Sequence, residues 1–376
     1  MEMAANDDTK AMEEIYNGLT NLQERLEKDV LQMCELVRTL RAEFYETLQE
    51  NPLLKVYKES FDKCCLAIYQ SLKLHLAFHF GNDIALAHEK LGILGRSLDI
   101  NGLDEVPNEE HAVDPGSKVL EIISLIVPEA DERDKRSKSE RVFQLAKWRF
   151  AMLRSKNTFK PYVLAEVSWN GRGFVGSSIA VSAFLRPLCL YQRIMGFKPR
   201  LKEAVVFAKP LLSPSDDKAM KSGWSCKAYT DGGGSDQATG ASSTAFNKTD
   251  PYANYKDPCK KCRNVFKNLG GFIQVRDPNS AGPDRSFWGA CAEYCPVNNL
   301  IPGGNGETPP QMSNRLEKYH EQCFSLFKDL CKFSNELDAN KEPDDEKQLQ
   351  AAAKALVPST KIFGFRPHVE CGSVMF

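Results

Sequence analysis

A long stripe of apolar residues near the start of the chain is the feature that most constrains its fold. The stripe consists of Met12, Ile15, Leu19, Leu22, Leu26, Met33, Leu36 and Leu40. This spacing places the residues along one side of a single long helix, with Asp29 as the one charged interruption. Two interpretations fit: a coiled-coil seam between two chains, or a helix packed against its own domain. Because the stripe holds only about four heptads and carries a carboxylate, we favour the second.

A proline and a change of period mark the later boundaries of the chain. Asn51-Pro52 ends the first helix, because the residue before a proline avoids the α region. Further helical patterns cover residues 52–80, 83–98, 142–153 and 311–337. From Tyr162 the pattern becomes that of strands, and Asn170-Gly171 between two β-prone runs predicts a hairpin turn.

Together these patterns predict an α+β protein with two domains. Residues 1–156 are expected to form a helical domain that contains the long heptad-patterned helix. Residues 157–376 are expected to form a mixed α/β domain with a small sheet and the cysteine motifs. Within it, the stretch at about 212–257 is rich in Gly, Ser, Thr and Asp, which favours a flexible insertion. Residues 271–275 are predicted to form a further short strand.

Composition places the chain among soluble globular proteins. Of its 376 residues 42% are apolar and 26% charged, and the formal net charge of −1 attracts neither nucleic acid nor anionic membranes as a whole. The first residues lack the regions of a secretory signal, and no segment approaches roughly 18 uninterrupted apolar residues. We therefore expect a cytoplasmic protein that stays out of membranes, as a monomer or homodimer, with N-terminal helices suited to contact a protein partner.

Two pairs of cysteines carry the strongest chemical signal. The twelve cysteines of such a chain are expected to remain mostly thiols, so metal binding or burial is favoured over disulfides. Cys259 and Cys262 form a Cys-x-x-Cys motif after a proline, and Cys291 and Cys295 form a second pair four residues apart. Zinc prefers such deprotonated sulfur ligands, and the lysines inside the first motif are expected to favour the thiolate. The spacing predicts a zinc site formed by Cys259, Cys262, Cys291 and Cys295.

The same residues resemble the motifs of the zinc-dependent cytidine deaminase superfamily. In that family His-Ala-Glu or Cys-Ala-Glu supplies a zinc ligand and a proton-shuttling glutamate, and Pro-Cys-x-x-Cys supplies two more ligands. Cys291-Ala292-Glu293 and Pro258-Cys259-Lys260-Lys261-Cys262 match these two motifs. The predicted hairpin over 162–178 resembles the strand pair that opens the deaminase sheet. The two motifs stand in the opposite order from that of the family.

This resemblance implies a catalytic site. Zinc would be held by Cys259, Cys262 and Cys291, with water as the fourth ligand. Glu293 would be the catalytic residue, moving protons between this water and the base. The substrate would be a nucleoside or a nucleobase in nucleic acid, and the protein would be a hydrolase of the deaminase type.

Several alternatives remain open from the sequence. With Cys295 as the fourth ligand, the zinc site would be structural and closed to water, in a non-enzymatic interaction protein. The thiols are otherwise buried without metal or form a redox dithiol. His368 and Cys371 are candidate extra ligands near the end of the chain. His75 and His79 share a helix face, and we interpret them as ordinary core or surface histidines.

Overall fold

The structure is a computed structural model in which a defined part of the chain is described. The described residues are 2–79, 91, 109–129, 134–182, 185–230, 252, 254–272, 288–303, 310–321 and 324–325. The predicted helix over 83–98 apart from residue 91, residues 231–250 of the expected insertion, the end of the predicted helix over 311–337 and the whole tail with His368 and Cys371 lie outside them. No helix in the described part is both long and apolar enough to span a bilayer.

The architecture is α+β, as predicted, with helices at the N-terminal end of the chain and a small sheet after them. The α-helices are α1 (Glu2–Glu50), α2 (Lys58–His79), α3 (Pro115–Ile126), α4 (Lys138–Ala151), α5 (Arg186–Met195), α6 (Pro199–Val206), α7 (Lys218–Lys221), α8 (Lys260–Val265), α9 (Tyr294–Leu300) and α10 (310–321). The strands are β1 (Val163–Trp169), β2 (Arg172–Ser177), β3 (Trp224–Thr230) and β4 (Asn254–Lys256). Short 3-10 helices cover Pro52–Tyr57, Glu109–His111 and Gly270–Phe272.

The predicted long first helix is confirmed. It ends at Glu50, and Asn51 accepts a hydrogen bond from the Leu53 backbone N–H as the chain turns into the 3-10 helix. Over residues 25–50 the apolar stripe is buried in a core shared with α2, α3 and α4. Residues 25–50 of α1 therefore pack within their own chain, and this part of the helix gives no support to the coiled-coil interpretation.

Asp29, the charged residue on that stripe, is buried, and both of its carboxylate oxygens have partners. Its carboxylate accepts hydrogen bonds from the backbone N–H and the hydroxyl of Thr158 at 2.9 and 2.8 Å, and it pairs with Arg154 at 2.5 Å. A buried carboxylate is tolerated only with such partners. The interruption of the stripe thus joins α1 to the turn that follows α4.

The four strands form one antiparallel sheet in the order β2-β1-β3-β4. The hairpin predicted between β1 and β2 is confirmed, with Trp169 opposite Arg172. Asn170 and Gly171 have φ angles of 49° and 80°, as the two central residues of a type I′ turn require. Within the described part of the chain β2 pairs only with β1, so its other side forms one edge of the described sheet.

Helices cover both faces of this sheet. On one face Leu164, Val175 and Tyr229 join the core of the N-terminal helices, and Tyr229 lies 5.2 Å from the ring of Phe143 on α4. On the other face Val167 joins a second core, which includes residues of α6, α8 and α9. The division into domains at residue 156 stays a prediction, since the first core also contains Leu164.

Two sequence predictions after residue 200 are wrong in detail. The stretch expected to be a flexible insertion contains β3, which pairs with β1 along its whole length. Alternate residues of β3, among them Trp224 and Ala228, are buried beneath helices, and this packing outweighs the Gly- and Ser-rich composition around the strand. Phe272, placed in a strand from sequence, lies in the 3-10 helix and is buried in the second core.

Candidate metal centre

The first half of the site is formed where α8 begins. Cys259 is the N-cap residue of this helix, and its sulfur accepts a hydrogen bond from the Cys262 backbone N–H at 3.4 Å. A sulfur in the N-cap position faces the unpaired N–H groups of the first turn, which favour negative charge. The helical turn brings Cys262 onto the same side as Cys259, and Cys262 is fully buried.

The second half lies on the loop that leads into α9. Gly289 has a φ of 83°, a conformation that favours glycine, and it turns the chain toward the sheet. The carbonyl oxygen of Ala290 accepts hydrogen bonds from the Ile179 N–H at 3.0 Å and from Arg193 at 3.3 Å. These two bonds fix the backbone immediately before Cys291.

The sulfurs of Cys259, Cys262 and Cys291 converge on one point. All three lie within 4.8 Å of one another, and those of Cys259 and Cys291 are 3.5 Å apart. Two sulfurs bound at about 2.3 Å to one tetrahedral zinc ion would be separated by about 3.8 Å. The donor set and its spacing therefore fit a zinc ion.

Glu293 lies against this cluster. Its carboxylate is 3.6 Å from the sulfur of Cys262, and the residue is only 4% exposed. Burial, with a smaller contribution from Cys259, raises the pKa of Glu293 to about 7. Cys226 on β3 is also close to this carboxylate, and burial together with Glu293 raises the pKa of the Cys226 thiol well above its ordinary value.

Cys295 is not part of the cluster, although the sequence pattern predicted it as a ligand. It lies on α9, four residues after Cys291, and the charged groups that affect it are Arg193, Asp114, Glu121 and Lys118. Burial raises the pKa of Cys295, and the Arg193 guanidinium partly opposes this rise. Cys295 lines a separate cavity beside β2. Of the predicted ligands, the structure brings together three and leaves Cys295 apart.

The prediction that lysines between Cys259 and Cys262 lower the thiol pKa is not met. Burial, followed by a hydrogen bond with Cys259, raises the pKa of Cys262 well above its ordinary value. The adjacent Cys259 thiol is the largest cause of a similarly raised pKa at Cys291. The thiols therefore favour the neutral form in the absence of a positive charge, and a metal ion would supply that charge.

Sequence reasoning missed the polar pair that supports the loop before Cys291. Arg193 and Asp114 form a buried ion pair at 2.8 Å, and Arg193 also donates to the carbonyl oxygens of Ser177 and Ala290. Asp114 is also the N-cap residue of α3. Asp114 before Pro115 is a helix-start signal, but nothing in the sequence links it to a residue 79 positions later.

His75, one of the histidines noted in the sequence, is a core residue. Its Nδ1 lies 2.7 Å from the carbonyl oxygen of Ser71, and its ring packs edge-on against Phe159.

Comparison with protein-family models, with curated protein sequences and with solved structures finds no match. The case for a function rests on the geometry of the cysteine cluster and its surroundings.

Proposed function

We propose that the chain is a zinc-dependent deaminase that acts on a nucleoside or on a nucleobase in nucleic acid. The observation that carries this proposal is the convergence of Cys259, Cys262 and Cys291, with Glu293 adjacent and Cys295 absent from the cluster. Three protein ligands leave a fourth position for water, which is the arrangement of catalytic rather than structural zinc sites.

Each residue has a definite role in this proposal. Cys259, Cys262 and Cys291 would hold the ion, and a zinc ion there would act as a Lewis acid that makes hydroxide available near neutral pH. Glu293 would accept a proton from the attacking water and deliver it to the amino group, which leaves as ammonia while the oxygen of the water stays on the base. The buried position of Glu293 restricts competing water and holds its carboxylate beside the cluster.

The relation to the deaminase superfamily is supported by the spatial arrangement of its two motifs. Pro-Cys-x-x-Cys and Cys-Ala-Glu stand in reversed order along the chain, but α8 and α9 bring their cysteines together at one point. The reversed order therefore does not prevent the expected ligand set from forming.

A structural zinc site in a non-enzymatic interaction protein is the second candidate. One observation favours it: the three ligands are all sulfurs, as in many structural sites. The two candidates share the metal but differ in what Glu293 does. In the structural case the fourth ligand is a further protein group, and Glu293 has no catalytic role.

Metal content is the first test of the shared part of the proposal. Elemental analysis of the purified full chain is expected to give about one zinc per chain. Cys259→Ser and Cys291→Ser are expected to lose the metal. Cys295→Ser is the matched control and retains it, because this thiol lies outside the cluster. Loss of zinc in the Cys295 variant would instead support the closed four-cysteine site.

Ammonia release tests the catalytic part. The probes are cytidine, adenosine, and single-stranded DNA and RNA oligonucleotides. Glu293→Gln preserves the shape of the side chain and removes its proton transfer, so the rate is expected to fall about 100- to 10,000-fold. Zinc content and melting temperature of this variant should remain near those of the wild type. Zinc-loaded protein that deaminates none of the probes would contradict the proposed activity and leave the structural site.

A further inference from the structure

A groove separate from the cysteine cluster runs along the free edge of the sheet. Its base is β2 from Arg172 to Ser177, and it encloses a cavity of about 800 Å³. One wall is formed by α3 and the first turn of α4, and the other by the last turn of α5 together with α9. We call this feature the β2 groove.

The alternation of hydrogen-bonded and non-hydrogen-bonded pairs along the hairpin shows which backbone groups of β2 face the groove. Ser178 donates its N–H to the carbonyl oxygen of Val163 at 2.9 Å, so this pair is hydrogen-bonded across the hairpin. Hydrogen-bonded and non-hydrogen-bonded pairs alternate along an antiparallel ladder. The pairs of Ser177, Val175 and Gly173 with β1 are therefore the non-hydrogen-bonded ones, and their N–H and C=O groups point outward.

At one end of this row of outward-facing groups, the carbonyl oxygen of β2 already has a hydrogen-bond donor, whereas the groups along the rest of the row have no partner among the described residues. Arg193 donates to the carbonyl oxygen of Ser177 at 3.1 Å, which ends the row beside α5. Gly173 and Val175 have no such contact in the described part of the chain. Their four outward backbone groups match those that an added antiparallel or parallel strand would use.

The walls of the groove decide which kind of occupant fits. If two copies of the chain joined their sheets edge to edge, the helices that flank each sheet would come together as well. The α3–α4 wall and the α5–α9 wall of one copy would then collide with those of the other. A second copy of the chain is therefore a poor occupant for this edge. A single extended segment has no flanking layers and fits between the walls. The six residues of β2 span about 20 Å, the length of a short peptide strand.

The charges around the groove indicate the chemistry of such a segment. Its three carboxylates are each paired with a lining cation: Asp114 with Arg193, Glu121 with Lys118, and Glu129 with Lys138. Arg172, at the start of β2, is exposed and makes no ion pair with any described residue. Among the described lining residues, Arg172 is thus the cation without an acidic partner, and it lies at the end of the groove opposite Arg193.

We propose that the β2 groove binds an extended peptide segment of a partner protein as an added strand, with an acidic side chain beside Arg172. The backbone of the segment pairs with Gly173 and Val175. Its side chains contact small polar residues of the walls, such as Ser117, Ser139 and Asn298. This interaction does not depend on zinc or on deamination.

Peptide selection and a backbone variant test the proposal on the full chain. A phage-displayed library of random 12-residue peptides is selected against the protein, and the best binder is synthesised. Val175→Pro removes an outward N–H, a change that an edge strand tolerates, and it also alters the contact of this side chain with the first core. The expected result is about tenfold weaker binding, whereas Val175→Ala, which keeps the N–H, retains binding. Arg172→Glu is expected to weaken the acidic peptide about fivefold, less so at high salt.

A second measurement keeps the test decisive if Val175→Pro does not fold. Hydrogen exchange of the wild type with bound peptide should slow at the amides of Gly173 and Val175, relative to the free protein. Peptides N-methylated at alternate positions should separate into one binding and one non-binding series. Failure to select any peptide, protection at another surface, or equal binding by both series would overturn the proposal. Protection of both amides in the free protein would show that the chain fills its own groove, with the same consequence.

Discussion

Buried polar residues define much of this fold at the residue scale. Asp29 was visible in the sequence as an interruption of an apolar stripe, but its partners Arg154 and Thr158 lie about 125 residues further along the chain. The apolar periodicity of a sequence indicates which face of a helix is buried, but it does not indicate which distant polar residues that face contacts. The same limit applies to Arg193, whose importance appears only when α5 packs beside the loop before Cys291.

His75 provides a prediction about pH at this scale. Burial lowers the pKa of His75 to about 4, with the Ser71 carbonyl contact acting in the opposite direction. Below about pH 6.5 the unfolded chain takes up a proton here and the folded chain does not, so stability falls as pH decreases toward 4. The loss from this one residue is expected to reach about 3 kcal/mol, since each pKa unit corresponds to about 1.4 kcal/mol.

Urea unfolding at several pH values measures this effect. His75→Phe removes the titrating group and keeps a ring against Phe159, so its free energy of unfolding should depend less steeply on pH between 6.5 and 4. Leu72→Ala is the control, because it lowers stability in the same helix at every pH without removing a titrating group. Parallel pH curves for wild type and His75→Phe would show that His75 does not account for the acid sensitivity.

At the scale of elements, the sequence was informative where a pattern was strong and local. The long helix α1 and the hairpin of β1 and β2 were predicted because heptad spacing and Asn-Gly each act within a short window. The strand β3 was missed, because its alternation of Trp224, Cys226 and Ala228 is brief and flanked by Gly- and Ser-rich sequence. Its place between β1 and β4 is fixed by pairing with distant residues, which no local pattern contains.

The packing of α9 on β2 gives a prediction at this scale. A Cβ on Gly176 would collide with the carbonyl oxygen of Ala292 and the ring of Pro296, so only glycine allows this close approach. Gly176→Ala is expected to push α9 away from the strand, costing about 1–3 kcal/mol of stability. It should also weaken zinc binding, because Ala292 lies next to Cys291.

A chelator competition assay on zinc-loaded protein, together with thermal melting, checks both effects. Gly303→Ala is the matched control, because a Cβ there meets no atom of the described residues within 4 Å. The control should match the wild type in both measurements. Unchanged zinc affinity in Gly176→Ala would indicate that the spacing of α9 and β2 does not position the cluster.

At the scale of the whole molecule, the candidate site was predicted in part. Cys259, Cys262, Cys291 and Glu293 were identified because short motifs place chemically suitable residues at ligand spacing. The exclusion of Cys295 could not be predicted, because it depends on which side of α9 faces α8. The supporting ion pair of Asp114 and Arg193 depends on α3 and α5 meeting beside the sheet.

The cluster also joins the start of α8 to the loop before α9, so removal of the proposed zinc ion should affect global stability. An ion bound only by the folded state adds about 4 kcal/mol when its concentration is 1,000 times the dissociation constant. Treatment with a chelator is therefore expected to lower the melting temperature of the wild type. Cys259→Ser should melt at a lower temperature and show no further response to the chelator. An equal response of both proteins would place the responsible metal elsewhere.

The free edge of β2 has a consequence for solubility. An unpaired strand edge is a template on which other chains can assemble, and many proteins protect such edges with charges, bulges or covering elements. Here the protection comes from the helices on either side of β2, which leave room for one extended segment and would obstruct a second sheet. The helices that form the β2 groove thereby also restrain edge-to-edge aggregation, and shortening α3 or α9 would remove that barrier along with the groove.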